Sequence, residues 1–114
     1  MDKITQYGKI LREVLQEYAT DRSGHPQPTD VNLQLLFDTT GHHYQVLHMG
    51  WRGEQQTFVV VFHFDIKDGK IWVQRNISDY DIVGDLELKG VPKEDIVLGF
   101  HSPYIRQFTE YAVA

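Results

Sequence analysis

Three observations predict an α+β fold with helices packed on one face of a mainly antiparallel sheet. Apolar residues recur at helical spacing near the start of the chain. Four runs within residues 31–75 then alternate apolar and polar side chains. A second helical stripe follows them, closed by Gly90 and Pro92.

The first helix is written by Ile4, Tyr7, Leu11, Val14, Leu15 and Tyr18, at spacings of three and four. Lys9, Arg12, Glu13, Gln16 and Glu17 fall on its opposite, solvated side. It is expected to stop near residues 19–21, because Ser23-Gly24-His25-Pro26-Gln27-Pro28 suits neither a helix nor a central strand. Residues 31–38 form the first extended run, with Val31, Leu33, Leu35 and Phe37 on one side, and residues 42–51 form the second. The turn at Arg52-Gly53-Glu54 leaves two registers open. A two-residue turn places Leu47 and Met49 on the core face, and a three-residue turn places Tyr44 and Val46 there.

Residues 55–67 and 70–75 complete a four-stranded meander around the most informative stretch, FHFDIKDGKIWVQ at 62–74. Asp68-Gly69 suits a two-residue type I′ turn, which pairs Lys67 with Lys70, Ile66 with Ile71, Asp65 with Trp72, Phe64 with Val73 and His63 with Gln74. Strict alternation puts Phe58, Val60, Phe62, Phe64, Ile66, Ile71 and Val73 on the core side. Val59, Val61, His63, Asp65, Trp72 and Gln74 share the other side. That mixture is too apolar for bare solvent and too polar for a core, so it calls for a helix, another subunit or a ligand.

Beyond the sheet, Ser78 or Asp79 is expected to cap a helix carrying Ile82, Val83 and Leu86. Residues 96–100 read as a short buried strand. Ser102-Pro103 opens a brief helical turn reaching Arg106 or Phe108, and residues 111–114 form an apolar terminus.

Composition bounds the function. The chain has 114 residues, 41% hydrophobic and 24% charged, which describes one domain spanning residues 1–114 with a core of its own. With no cysteine, disulfides, thiolate metal sites and thiol nucleophiles are excluded. The opening residues lack the apolar core of a signal peptide, and no run approaches the roughly 18 residues of a membrane span, so a cytoplasmic location is expected. Eleven Lys and Arg against 16 Asp and Glu give a net charge of −5. That balance disfavours autonomous DNA binding, which depends on neutralising phosphates.

Two segments carry a family resemblance: HFDIKDGKIWVQRN at 63–76 and GVPKEDIVLGFHSPYIRQFTEYAVA at 90–114. Together with Gly50-Trp51 and Phe37-Asp38-Thr39, they closely resemble the XisI family, the fdxN element excision controlling factors. The likeness covers essentially the whole chain, departing at Gln107, where the family's tail often has a proline. It implies a small cyanobacterial-type protein needed for controlled excision of a DNA element by a separate site-specific recombinase. It also implies a XisH-like protein as genetic neighbour, and a role as accessory or regulator rather than recombinase.

No residue pattern spells out a reaction. His42, His63 and Asp65 converge only under one turn register, and six histidines in a chain are more often ordinary surface or partly buried side chains. Asp65, Asp68 and Lys70 lack a second acidic ligand placed by sequence, and an aspartate before glycine is first a turn residue. His101 and Arg106 could meet a partner or an anion, against a local role in which Arg106 pairs with Glu110. Trp72 is the strongest interface candidate, against packing beneath a helix of its own chain.

The expectation is therefore a non-catalytic accessory factor without cofactor or metal, touching DNA only indirectly. It would act through Val59, Val61, His63, Asp65, Trp72, Gln74, His101 and Arg106 on a XisH-like protein, the recombinase machinery or a second copy of itself. A metal-dependent or hydrolytic factor and a direct DNA binder are the alternatives.

Overall fold

The computed structural model describes residues 2–23 and 30–114. Helix α1 (Lys3–Ser23) precedes strands β1 (Asp30–Asp38), β2 (His43–Arg52), β3 (Gln55–Lys67) and β4 (Lys70–Asn76). Helix α2 (Ile82–Leu88), strand β5 (Ile96–Val97) and helix α3 (Pro103–Arg106) follow. The expected loop at 24–28 lies outside the described residues, and α1 runs two residues past its expected end. Among the described residues, no helix is long and apolar enough to cross a membrane.

The expected α+β architecture is present, and the expected short C-terminal strand joins the sheet as its fifth: the sheet order is β1-β2-β3-β4-β5, antiparallel except that β5 lies parallel to β4. Ala112 bridges to Val97 and so borders that edge. α1 lies on one face because its apolar stripe matches the sheet's. Tyr7, Leu11, Val14, Leu15 and Tyr18 are buried against Tyr44, Val46, Phe62, Phe64, Ile71 and Val73, with Ile82 and Leu86 of α2 joining them. Ile10 also enters this core, whereas Ile4 stays exposed. Asp2 caps α1 by accepting from the Thr5 amide at 2.8 Å, and the α2 cap is Asp81, two to three residues later than expected, accepting from Gly84 N at 3.0 Å.

Both hairpin turns follow from their residues. Asp68 and Gly69 adopt φ of 54° and 75°, as a type I′ turn requires, and the four pairs from Lys67–Lys70 to Phe64–Val73 form as expected. The preceding turn is centred on Gly53-Glu54, pairing Arg52 with Gln55, with Gly53 at φ 62°. It is thus a two-residue turn, yet Tyr44 and Val46 face the core, because a bulge farther along reverses the alternation.

Gly8 sets how closely α1 approaches the sheet. A Cβ there would stand 2.7 Å from the Tyr44 hydroxyl oxygen but 3.7 Å from Cζ of the ring. Gly8→Ala should therefore lower stability by about 1–3 kcal/mol through overpacking, although alanine favours helix by roughly 1 kcal/mol. In a Tyr44→Phe background the same change should be neutral or stabilising, which denaturant titration of the double-mutant cycle will read.

A second tie fixes the helix start. Buried Asp95, in the turn before β5, accepts a short hydrogen bond from the Tyr7 hydroxyl, and Lys3 Nζ lies 2.9 Å from the same carboxylate. Burial raises the Asp95 pKa, but the bonds from Tyr7 and Lys3 outweigh it and leave it below the ordinary carboxylate value. A depressed acid stabilises the fold above its unfolded pKa and loses that contribution as pH falls through the folded one. Tyr7→Phe should cost about 1.5–3 kcal/mol at neutral pH, with the gap to wild type narrowing below pH ~4.

Candidate functional site: the outer face of the sheet

One extra residue in β3 decides what this face displays. Val46 pairs with Phe62 but Leu47 with Val60, so Val61 is left unmatched as a β-bulge. Val61 and Phe62 both turn toward α1 and are 7% and 0% exposed. Residues before the bulge therefore have the opposite orientation from the one strict alternation predicts. A second bulge leaves Gln74 of β4 unmatched, so His63 pairs with Arg75 rather than with Gln74. Arg75 Nε donates to the Val60 carbonyl at 2.7 Å, satisfying a backbone acceptor beside the first bulge.

The expected site residues divide accordingly. Val59 and Val61 belong to the helix side of the sheet, a correction imposed by the bulge, and Phe58 and Val60 leave the core side. His63, Asp65 and Gln74 do share the outer face. Trp72 shares it too but is only 8% exposed. Lys67 Nζ and the Arg106 guanidinium lie over its ring at 4.4 and 5.2 Å, so α3 covers this part of the face instead of joining α1 and α2 on the other. Arg106 does not pair with Glu110. It donates to the carbonyls of His101 at 2.9 Å and of Gly99 and Val113 at 3.4 Å, while Glu110 binds Lys93 at 2.6 Å. His101 packs against Phe100 with ring centroids 4.5 Å apart. The expected five-residue strand at 96–100 shortens to Ile96–Val97 before this tail crosses over.

The polar end of the face is built around Asp65. His43 is its cross-strand partner and His63 lies two residues before it on the same side of β3. His43 Nδ1 and His63 Nε2 stand 2.6 and 2.7 Å from the same oxygen, Oδ1, and Gln74 Nε2 donates to Oδ2 at 3.3 Å. The hydrogen bond to Asp65 raises the His43 pKa above its ordinary value. Burial pushes Asp65 up, but its bonds to His43 and His63 prevail and hold it low. His42, the histidine expected here, occupies the β1–β2 turn instead, at φ 63°. Asp38 folds that turn by accepting from Thr40 N and Gly41 N, so β2 starts one residue later than sequence spacing suggested.

The remainder of the face is open and mixed, with Asn32, Gln34, Gln45 and Gln56 interleaved among large apolar side chains. Phe58, Trp51 and Leu36 are 59%, 51% and 49% exposed, with Met49 and Val60 partly exposed beside them. Register places Met49 opposite Phe58 and Leu47 opposite Val60, both on this side. Sequence reasoning missed this strip, together with His43, because its position depends on a bulge that no residue announces.

Residues 1–113 match the family described as XisI protein. No curated protein matches the chain. Among solved structures, a XisI-like protein from Anabaena variabilis is 44% identical, with a TM-score of 0.88 over 97% of this chain and 99% of its own. The fdxN element excision controlling factor XisI from the same organism is 32% identical, with a TM-score of 0.85 over 99% of this chain and 100% of its own. Agreement over the whole domain, in sequence and fold alike, means that this chain belongs to the XisI family.

Proposed function

We propose that this protein is a non-catalytic accessory factor that controls excision of a DNA element by binding a protein partner. The partner is a XisH-like protein, and contact with the recombinase machinery passes through it. A related protein bears the name excision controlling factor, which supports regulation rather than catalysis. One observation carries the mode of action: Met49, Trp51 and Phe58 expose large apolar side chains at neighbouring positions of a hydrogen-bonded sheet. Rigid aromatic side chains lose little entropy on binding and commonly anchor interfaces.

The cations favour indirect contact with DNA. Lys89 lies 2.6 Å from Glu17, Lys93 2.6 Å from Glu110 and Lys3 2.9 Å from Asp95. Arg75 and Arg106 donate to backbone carbonyls, and Lys67 covers Trp72. With these groups engaged internally and a net charge of −5, phosphate neutralisation is weakly supported.

Co-purification with the XisH-like neighbour should give a complex that Trp51→Ala or Phe58→Ala weakens by about 30-fold or more, with circular dichroism unchanged. Trp72→Ala should act on folding stability instead. Absence of a complex, joined to a salt-dependent shift of the element's end sequences by this protein alone, would replace the reading with direct DNA binding.

A further inference from the structure

We infer that His43, His63 and Asp65 form a binding site for one zinc-class divalent cation on the outer face of the sheet. The inference stands apart from the proposed function. Its three donor atoms, His43 Nδ1, His63 Nε2 and Asp65 Oδ1, all lie within 4.8 Å of one another. They come from neighbouring positions on two hydrogen-bonded strands, which hold the backbone still while the side chains adjust.

The donor set chooses the ion. Two imidazoles and one carboxylate suit Zn²⁺ or Co²⁺, whereas Mg²⁺ and Ca²⁺ favour sites built wholly from oxygen. Tetrahedral zinc with bonds of about 2.0–2.2 Å spaces its ligand atoms roughly 3.3 Å apart. The histidine–Asp65 distances of 2.6 and 2.7 Å must therefore widen by about 0.6 Å, a displacement that χ rotations supply. In the metal-free arrangement, protons on the two facing nitrogens bridge to Asp65. The cation takes the place of those protons, which leave to solvent or move to the opposite ring nitrogens.

The surroundings complete the site. Gln74 Nε2 orients the second Asp65 oxygen, as outer-shell donors do for carboxylate ligands. The His43 side chain is 54% exposed and those of His63 and Asp65 are 24% and 20%, so the fourth position opens toward solvent. Water or a ligand from a bound protein can fill it.

The test is calorimetric titration of the untagged, chelator-treated protein with Zn²⁺, paired with Co²⁺ absorption as a reporter of geometry. The expected result is one equivalent per chain and a tetrahedral Co²⁺ spectrum. Asp65→Asn and His63→Ala, each shown folded by circular dichroism, should abolish saturable binding. Gln74→Leu should weaken it about 10-fold, and His42→Ala and His101→Ala should leave it unchanged. No saturable one-to-one binding in wild type would overturn the inference, as would binding that survives Asp65→Asn and His63→Ala. Either result would reduce the cluster to two histidines hydrogen-bonded to one carboxylate.

Discussion

The unmatched residue in β3 governs what this protein shows to its surroundings. A strand has a side-chain period of two, so one added residue exchanges its faces for everything on one side of the insertion. Beyond Val61, Phe62, Phe64 and Ile66 point at α1 and build the core. Before it, Phe58 and Val60 point away. The energy of burying Val61 and Phe62 together, with Arg75 capping the Val60 carbonyl, holds the bulge in place. Because β3 lies at the centre of the sheet, its neighbours follow, and Leu47 and Met49 are carried outward with it.

The outer face consequently has two regions of different character. Around Trp72 the chain covers itself: Arg106 lies on the ring, and its guanidinium gathers the carbonyls of the tail that passes over it. Farther across, on β1 to β3, Leu36, Trp51 and Phe58 remain about half exposed among the described residues. The Asp65 cluster lies between these regions, at the β2 end where His43 begins its strand. The sheet face is thus part self-covered and part open.

Much of the fold is legible in the sequence because its signals are local. The stripe from Tyr7 to Tyr18 fixes α1, and Asp68-Gly69 fixes the first four residue pairs of one hairpin, since only a few residue types tolerate two successive positive φ values. The candidate site is less legible because it depends on register. A bulge has no residue signature, so alternation assigned Val59 and Val61 to the wrong side and hid Phe58 inside the core. The same one-residue displacement exchanged His42 for His43, since Asp38 closes a turn that retains His42 outside β2. The parallel placement of β5 and the path of the tail rest on long-range contacts of Ile96, Val97 and Ala112, which periodicity does not encode.

The chain's lack of cysteine permits a clean test of the bulge itself. The decisive measurement is the thiol-labelling rate of two single variants, Phe58→Cys and Val61→Cys, in the folded protein. The structure predicts rapid labelling at position 58 and labelling at position 61 limited by unfolding. Rapid reaction at 61 with protection at 58 would mean that β3 runs without its bulge, and that the outer face described above is not the one the protein presents.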